Sequence, residues 1–235
     1  MVVPVYNEGE AIKKLFDEVH EKVKVKLRIL VVYDFEGDST VDVVRRISGK
    51  YRFPIELVKN DYGRGALNAI KTGIARSSTG AVLVTMADLS DDLSCVDEMY
   101  AMVESGYDLV CASRYMRGGR QIGGPLLKKT LSRIAGISLH CLSGIPTHDV
   151  TNSFKMYARR VIDNFKIESN GGFELGMELT IKAFIDGYKV GEIPATWRDR
   201  AEGTSNFKMW SWIPRYLYWY FFCLKHVWSL QKRRS

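Results

Sequence analysis

Three acid-bearing turns, each placed where a hydrophobic run stops, constrain this chain most. They are Val-Val-Pro-Val-Tyr-Asn-Glu (2–8), Val-Val-Tyr-Asp-Phe-Glu-Gly-Asp (31–38) and Val-Leu-Val-Thr-Met-Ala-Asp (82–88). In an open parallel α/β sheet, ligands sit beyond the carboxyl ends of the strands. Glu8, Asp34 and Asp88 are therefore expected to meet in one crevice, although they lie far apart along the chain.

The periodicity between these turns supports such a sheet. Residues 10–23 place Ala11, Ile12, Leu15, Phe16, Val19 and Val23 at helical spacing, and Leu27–Val32 reads as a buried strand. The pattern repeats: a helix through Val41, Val44 and Ile47, strand Ile55–Val58, a helix through Leu67, Ile70 and Ile74, and strand Ala81–Met86. A helix through Val96, Met99 and Val103 and strand Asp108–Ala112 follow. This alternation predicts an α/β domain, Rossmann-like, with a mostly parallel sheet and helices on both faces.

Glycines at Gly118-Gly119 and Gly123-Gly124-Pro125 then break the chain before a helix over 126–143. They separate a first half, 1–113, from a second, 114–207, which carries Phe154–Tyr157, a helix near 172–186 and strand Lys189–Ile193. The halves are expected to share one sheet, so 1–207 reads as one domain and 208–235 as a tail.

Charge narrows the partners. The net charge is +7, with local basic clusters at Lys128, Lys129, Arg133, Arg159, Arg160 and Lys232-Arg233-Arg234, which suits anionic partners. No zinc-finger, RNA-recognition or basic-zipper signature occurs, so no nucleic acid is expected. Cys95, Cys111, Cys141 and Cys223 lie far apart without a Cys-x-x-Cys pair, which fits free thiols in a reducing cytoplasm. The chain opens on a strand-like segment rather than a secretory signal, and that strand is short enough to suggest a clipped start. In the aromatic tail the longest apolar run is Tyr216–Leu224, short of the ~20 residues a membrane span needs. Its Trp and Tyr residues, with Arg215 and Lys225, fit a peripheral location on the cytoplasmic face of a membrane; a core-packing or dimerising helix fits the pattern equally.

The three turns, together with Gly63-Arg64-Gly65-Ala66, Ala-Ser-Arg-Tyr (112–115), Asp-Val-Thr-Asn-Ser-Phe (149–154) and Trp-Arg-Asp-Arg-Ala-Glu-Gly-Thr-Ser (197–205), resemble the family 2 glycosyltransferases of GT-A fold. Within them the chain is most similar to the branch typified by dolichyl-phosphate mannose synthases and polyprenyl-phosphate glycosyltransferases. The resemblance runs from about residue 2 to about residue 207 in unbroken motif order. It implies an inverting hexosyl transfer from a GDP- or UDP-linked sugar to a polyprenyl phosphate. A saccharide hydroxyl acceptor in cell-envelope glycan synthesis, or a nucleotide-binding pseudoenzyme that acts as a scaffold, are the alternatives.

The resemblance also implies roles for individual residues. Pro4, Tyr6 and Glu8 would line the nucleoside pocket, and Asp34 would accept a hydrogen bond from the base. Gly63 and Arg64 would approach a phosphate or the base. Ala87 and Asp88 stand in the family's Asp-x-Asp, whose carboxylates hold Mg²⁺ or Mn²⁺ against the diphosphate. Met86 replaces the first acid, and a thioether does not suit a hard cation, so the metal site rests on Asp88 with Asp91 and Asp92 nearby and metal dependence is expected to be weaker. Phe35 stands where a second acid is usual. Arg114 would sit near a donor or acceptor phosphate, and Arg200, with Gly203 and Ser205, would belong to a loop that closes over the diphosphate. Asp149 would reach the reacting centre, to position the acceptor or act as base. Glu178 matches a family glutamate and shares a helix face with Glu174, where a structural role fits as well. His140 and His148 lack zinc-site spacing and are not expected to be ligands.

Overall fold

A computed structural model describes residues 1–199 and 209–234. The first part alternates β1 (Val2–Pro4), α1 (Ile12–Lys22), β2 (Ile29–Tyr33), α2 (Ser39–Ile47), β3 (Ile55–Lys59), α3 (Ala66–Arg76), β4 (Ala81–Val84), α4 (Val96–Glu104) and β5 (Leu109–Ser113). There follow β6 (Arg120–Ile122), α5 (Leu126–Ser143), β7 (Lys155–Ala158), α6 (Arg159–Asn164), α7 (Leu175–Ile185), β8 (Val190–Pro194), β9 (Thr196–Arg198) and α8 (Met209–Arg234).

Seven strands form one sheet in the order β3-β2-β1-β4-β7-β5-β8. All run parallel except β7, which is inserted antiparallel between β4 and β5. The chain steps from β1 to β2 on one side and later places β4 on the other side of β1, so a crevice opens at the carboxyl ends of β1, β2 and β4. The strands read as continuous apolar runs because both faces are covered. Val3, Val31, Leu83 and Val110 pack against α1, α2 and α4 on one face. Val2, Val32, Val82, Val84 and Tyr157 pack against α3 and α7 on the other.

The expected strand Ala81–Met86 stops at Val84. Beyond it the Thr85 hydroxyl donates to Asp91 Oδ2 at 3.0 Å, which turns the chain away from the sheet. The short ribbon β6–β9 pairs in parallel beside the main sheet. The tail is docked rather than loose: Trp219, Cys223 and Leu224 of α8 are buried with Leu139 of α5 and Met177 and Ile181 of α7. Core packing thus accounts for one stripe of this helix, while Leu217, Tyr218, Phe221 and Trp228 remain exposed on it.

Candidate active site

The crevice is built from turns that lock onto one another through backbone amides. Asp38 is buried and caps α2 by accepting from Thr40 N at 2.8 Å, while its other oxygen accepts from Asn7 N at 3.0 Å. Thr40 Oγ1 accepts from Glu8 N at 2.9 Å. These bonds fasten the turn after β1 to the start of α2, with Asn7 held at φ 55°, an uncommon conformation for a non-glycine residue. Pro4 is buried beneath that turn and Tyr6 is exposed upon it.

Asp34 organises the next wall. Its Oδ1 accepts from Asn60 Nδ2 at 2.8 Å and its Oδ2 from Gly65 N at 2.9 Å. Asn60 also donates to Gly63 O at 2.6 Å and accepts from Thr72 Oγ1 at 2.9 Å, so the glycine loop is strapped to the end of β2. Gly65 enters α3 at φ 115°, which a side chain would strain. The Arg64 guanidinium lies over the Phe35 ring at 5.3 Å, and Tyr6 meets that ring edge-on at 5.9 Å. Where a second acid is usual, this chain therefore has an aromatic and cationic wall.

Asp88 follows β4, partly exposed, and accepts from Ser90 N at 3.1 Å. Leu89 beside it has φ 59°, a second strained residue in the crevice. Ala87 is buried and contributes backbone rather than an exposed side chain. Asp91 is buried next to Asp88, and burial, reinforced by the Asp88 charge, pushes its carboxyl up to about 7. Asp92 points elsewhere, capping a short 3-10 turn through Ser94 N. Among the described residues no group of three His, Cys, Asp or Glu converges as a ready-made metal site. A partly exposed hard carboxylate with a second beside it nevertheless fits a divalent cation whose shell is completed by other oxygens.

The second half contributes a buried charge cluster. Arg114 grips Asp149 bidentately, Nε to Oδ2 at 2.6 Å and Nη2 to Oδ1 at 2.8 Å, and its backbone N adds a third bond at 3.0 Å. The Asp149 side chain is 0% exposed and that of Arg114 8%. Burial opposes the Asp149 charge, but Arg114 and then Lys155 outweigh it and hold its carboxyl below the usual range. Burial lowers the Lys155 ammonium, whose Nζ donates to the carbonyls of Asp149, Val150 and Asn152. α5 presses on this loop at Gly136, where any Cβ would collide with the His148 carbonyl. Tyr115, stacked by Arg114 at 4.8 Å, bonds Gln121 of β6 and Ser132 of α5.

The structure thus gathers Pro4, Tyr6, Glu8, Asp34, Gly63, Arg64, Ala87 and Asp88 on the turns around one crevice, with Arg114 and Asp149 on the adjoining loops. Arg200, Gly203 and Ser205 lie outside the described residues. Glu174 and Glu178 bind backbone amides of the loop before α7, at Gly171, Gly172, Glu168 and Ser169. His148 bonds Glu192 and stacks on His140 at 4.1 Å. Asp38, Asn60, Asp91 and Lys155 carry the architecture without having been singled out for it. For Lys155 a signal was present, a lone charge within the apolar stretch Phe154–Tyr157.

Comparison with known proteins agrees with this geometry. The sequence profile of glycosyl transferase family 2 matches residues 1–165, and the chain belongs to that family. A dolichol-phosphate mannosyltransferase of Pyrococcus furiosus is 27% identical over 213 residues, covering 88% of this chain and 58% of the relative. The chain therefore spans little more than half of that protein's length. A polyprenol monophosphomannose synthase of Mycolicibacterium smegmatis is 28% identical over 212 residues, covering 87% of this chain and 79% of the relative. Among solved structures, glucosyl-3-phosphoglycerate synthase of Mycobacterium tuberculosis bound to UDP superposes with TM-score 0.70 at 16% identity, covering 95% of this chain and 79% of that one. The same enzyme with Mn²⁺, UDP and glucosyl-3-phosphoglycerate gives 0.67 at 16% identity, covering 91% and 75%. At that identity the likeness establishes the GT-A fold.

Proposed function

We propose that this chain transfers a sugar from a GDP- or UDP-linked donor to a polyprenyl phosphate, with inversion, at the cytoplasmic face of a membrane. The observation that carries the reading is the juxtaposition of a nucleotide-type crevice at the ends of β1, β2 and β4 with a fixed, desolvated Arg114 on the neighbouring loop. The names of the two sequence relatives support a lipid-phosphate acceptor.

In this reading the nucleoside lies against Tyr6, Phe35 and Asp34, and the diphosphate points toward Asp88. Asp88, with the diphosphate and water, would hold Mg²⁺ or Mn²⁺, which neutralises charge on the leaving group. An acceptor phosphate oxygen attacks the anomeric carbon as the bond to the diphosphate breaks, and the nucleoside diphosphate leaves with the electron pair. The attacking group is already an anion, so no general base is needed. Asp149 then serves as a positioning residue: both of its oxygens are committed to Arg114, whose remaining guanidinium edge meets the acceptor or donor phosphate. Arg200 and Ser205 are assigned to closure over the diphosphate. A saccharide hydroxyl would require a base, and the pairing of Asp149 makes it a poor one.

The test is sugar transfer from GDP- and UDP-sugars to a detergent-dispersed polyprenyl phosphate, with Mg²⁺, Mn²⁺ or chelator. Transfer only to soluble saccharides would replace the acceptor assignment. Nucleotide binding without any turnover would favour a scaffold.

A further inference from the structure

Three neighbouring strands carry a row of side chains beneath the loop that holds Asp149. Register pairs Cys111 of β5 with Lys155 of β7 on one side and with Glu192 of β8 on the other. All three lie on the sheet face that packs α3 and α7, since Leu109, Tyr157 and Val190, two residues away on the same strands, are buried there. Lys155 and Cys111 are fully buried, and the Glu192 side chain is 12% exposed. Burial pushes the Cys111 thiol up, so the row reads as a cation, a neutral spacer and an anion. Lys155 and Glu192 stand two strand spacings apart, about 10 Å, too far for a direct ion pair.

The loop between α5 and β7 lies across this row and meets each end with the matching pole of its peptides. At the Glu192 end, Oε2 accepts from His148 N at 2.8 Å and from Thr147 Oγ1 at 3.2 Å, and Oε1 meets His148 Nδ1 at 2.6 Å. At the other end Lys155 Nζ donates to the carbonyls of Val150 at 3.2 Å, of Asp149 at 3.4 Å and of Asn152. Three acceptors around one nitrogen use three N–H donors, which only the ammonium form supplies. Lys155 thus spends its charge on backbone carbonyls rather than on a carboxylate. Two further bonds remove the freedom that is left: Asp149 N donates to Thr147 Oγ1 at 3.1 Å, and Asn152 Nδ2 donates to Ala112 O at 2.8 Å.

We propose that Lys155 and Glu192 are positioning residues, a pair of opposite charges that clamp this loop between them and thereby fix Asp149 on Arg114. The charges act through the peptides of the loop, whose N–H groups face the anion and whose carbonyls face the cation in a low-dielectric interior. With both ends pinned, the Asp149 carboxylate is left facing the backbone N, Nε and Nη2 of Arg114. The orientation of one guanidinium at the end of β5 is thus set from the strands on either side of it, β7 and β8. The use of the clamp in catalysis rests on the proposed contact of Arg114 with a phosphate, while the clamp itself does not.

The test follows the Arg114 Nε–H by heteronuclear NMR of the full chain, its resonance assigned by its loss in Arg114→Lys. In the wild type this hydrogen is expected to be protected from exchange with water, as a buried donor to Asp149. Glu192→Gln keeps the shape and removes the anion; Lys155→Met removes the cation. Each should speed exchange at least about tenfold, the size of one lost hydrogen bond to a charged group. Thermal melts check folding, and should Lys155→Met fail to fold, the milder Glu192→Gln decides alone. In transfer to detergent-dispersed polyprenyl phosphate, both variants should raise KM for the lipid phosphate more than they lower kcat. Neither should add to the effect of Arg114→Lys, because they act through Arg114. An unprotected Nε–H in the wild type, unchanged exchange in folded variants, or full additivity with Arg114→Lys overturns the clamp. Faster exchange in the variants of a protein that never uses the lipid phosphate would instead remove the acceptor reading and leave the clamp standing.

Discussion

Asp34 and Asp149 are carboxylates at the edge of the same crevice, yet they are held in opposite ways. Asp34 is partly exposed and takes its partners from Asn60 and a glycine-loop amide, whereas Asp149 is fully buried against Arg114 with Lys155 behind it. The proposed donor side is thus a set of turns tied together by uncharged amide donors on single carboxylates. The proposed acceptor side is a desolvated charge cluster that fixes one guanidinium. The lesson is that position matters more in the second half and shape more in the first.

The largest expected effect tests that contrast directly. Asp149→Ala leaves Arg114 and Lys155 buried without their shared counter-charge and should cost about 3–5 kcal/mol in urea unfolding. A loss like that of an ordinary surface change would abolish the distinction between the two sides.

Asp91 stands at the boundary, and its effect should depend on pH. Its folded-state carboxyl is raised to about 7 from 3.8, so its contribution to stability is complete below about pH 4 and is lost as pH rises through 7. Asp91→Asn should therefore be more stable than the wild type to urea at pH 8, by on the order of a few kcal/mol, and lose that advantage near pH 4. A constant difference across the range would mean that Asp91 is not desolvated beside Asp88.

On the proposed donor side the expected effects fall on binding instead. Asp34→Ala should weaken nucleoside diphosphate binding about tenfold in calorimetric titration, the size of a hydrogen bond to a charged group, while shifting the melting temperature little. If it destabilised the fold as strongly as Asp149→Ala, the donor loops would be as rigid as the acceptor cluster. Smallest of all, Met86→Asp should strengthen the coupling between divalent metal and nucleotide binding by several-fold if Asp88 faces the diphosphate. Unchanged coupling would place Asp88 elsewhere.

Much of this was legible in advance because apolar periodicity reports burial directly. The alternation of 3.6-residue and continuous apolar patterns marks α1 to β5 to within a few residues, and strand ends in an α/β sheet converge by topology. Turn residues such as Glu8, Asp34 and Asp88 announce themselves by following those strands. Pairings across the sheet do not. Nothing local in Phe154–Tyr157 says that β7 inserts antiparallel between β4 and β5, and that insertion is what carries Lys155 beneath the Asp149 loop.

The docked α8 shows the same division. Its sequence presents an aromatic, acid-free helix, equally suited to a core or to an interface. Only packing on α5 and α7 decides which stripe is buried and which is left outside. Sequence by itself determined the element types and the strand-end turns, because each depends on near neighbours along the chain, and the excess of positive charge, which is composition alone. Tertiary structure decided that Asp149 faces Arg114, that Asp91 lies beside Asp88, and that Lys155 and Glu192 flank Cys111 in one row. Those relations arise from long-range contacts, whose energies depend on burial and distance that no local pattern encodes.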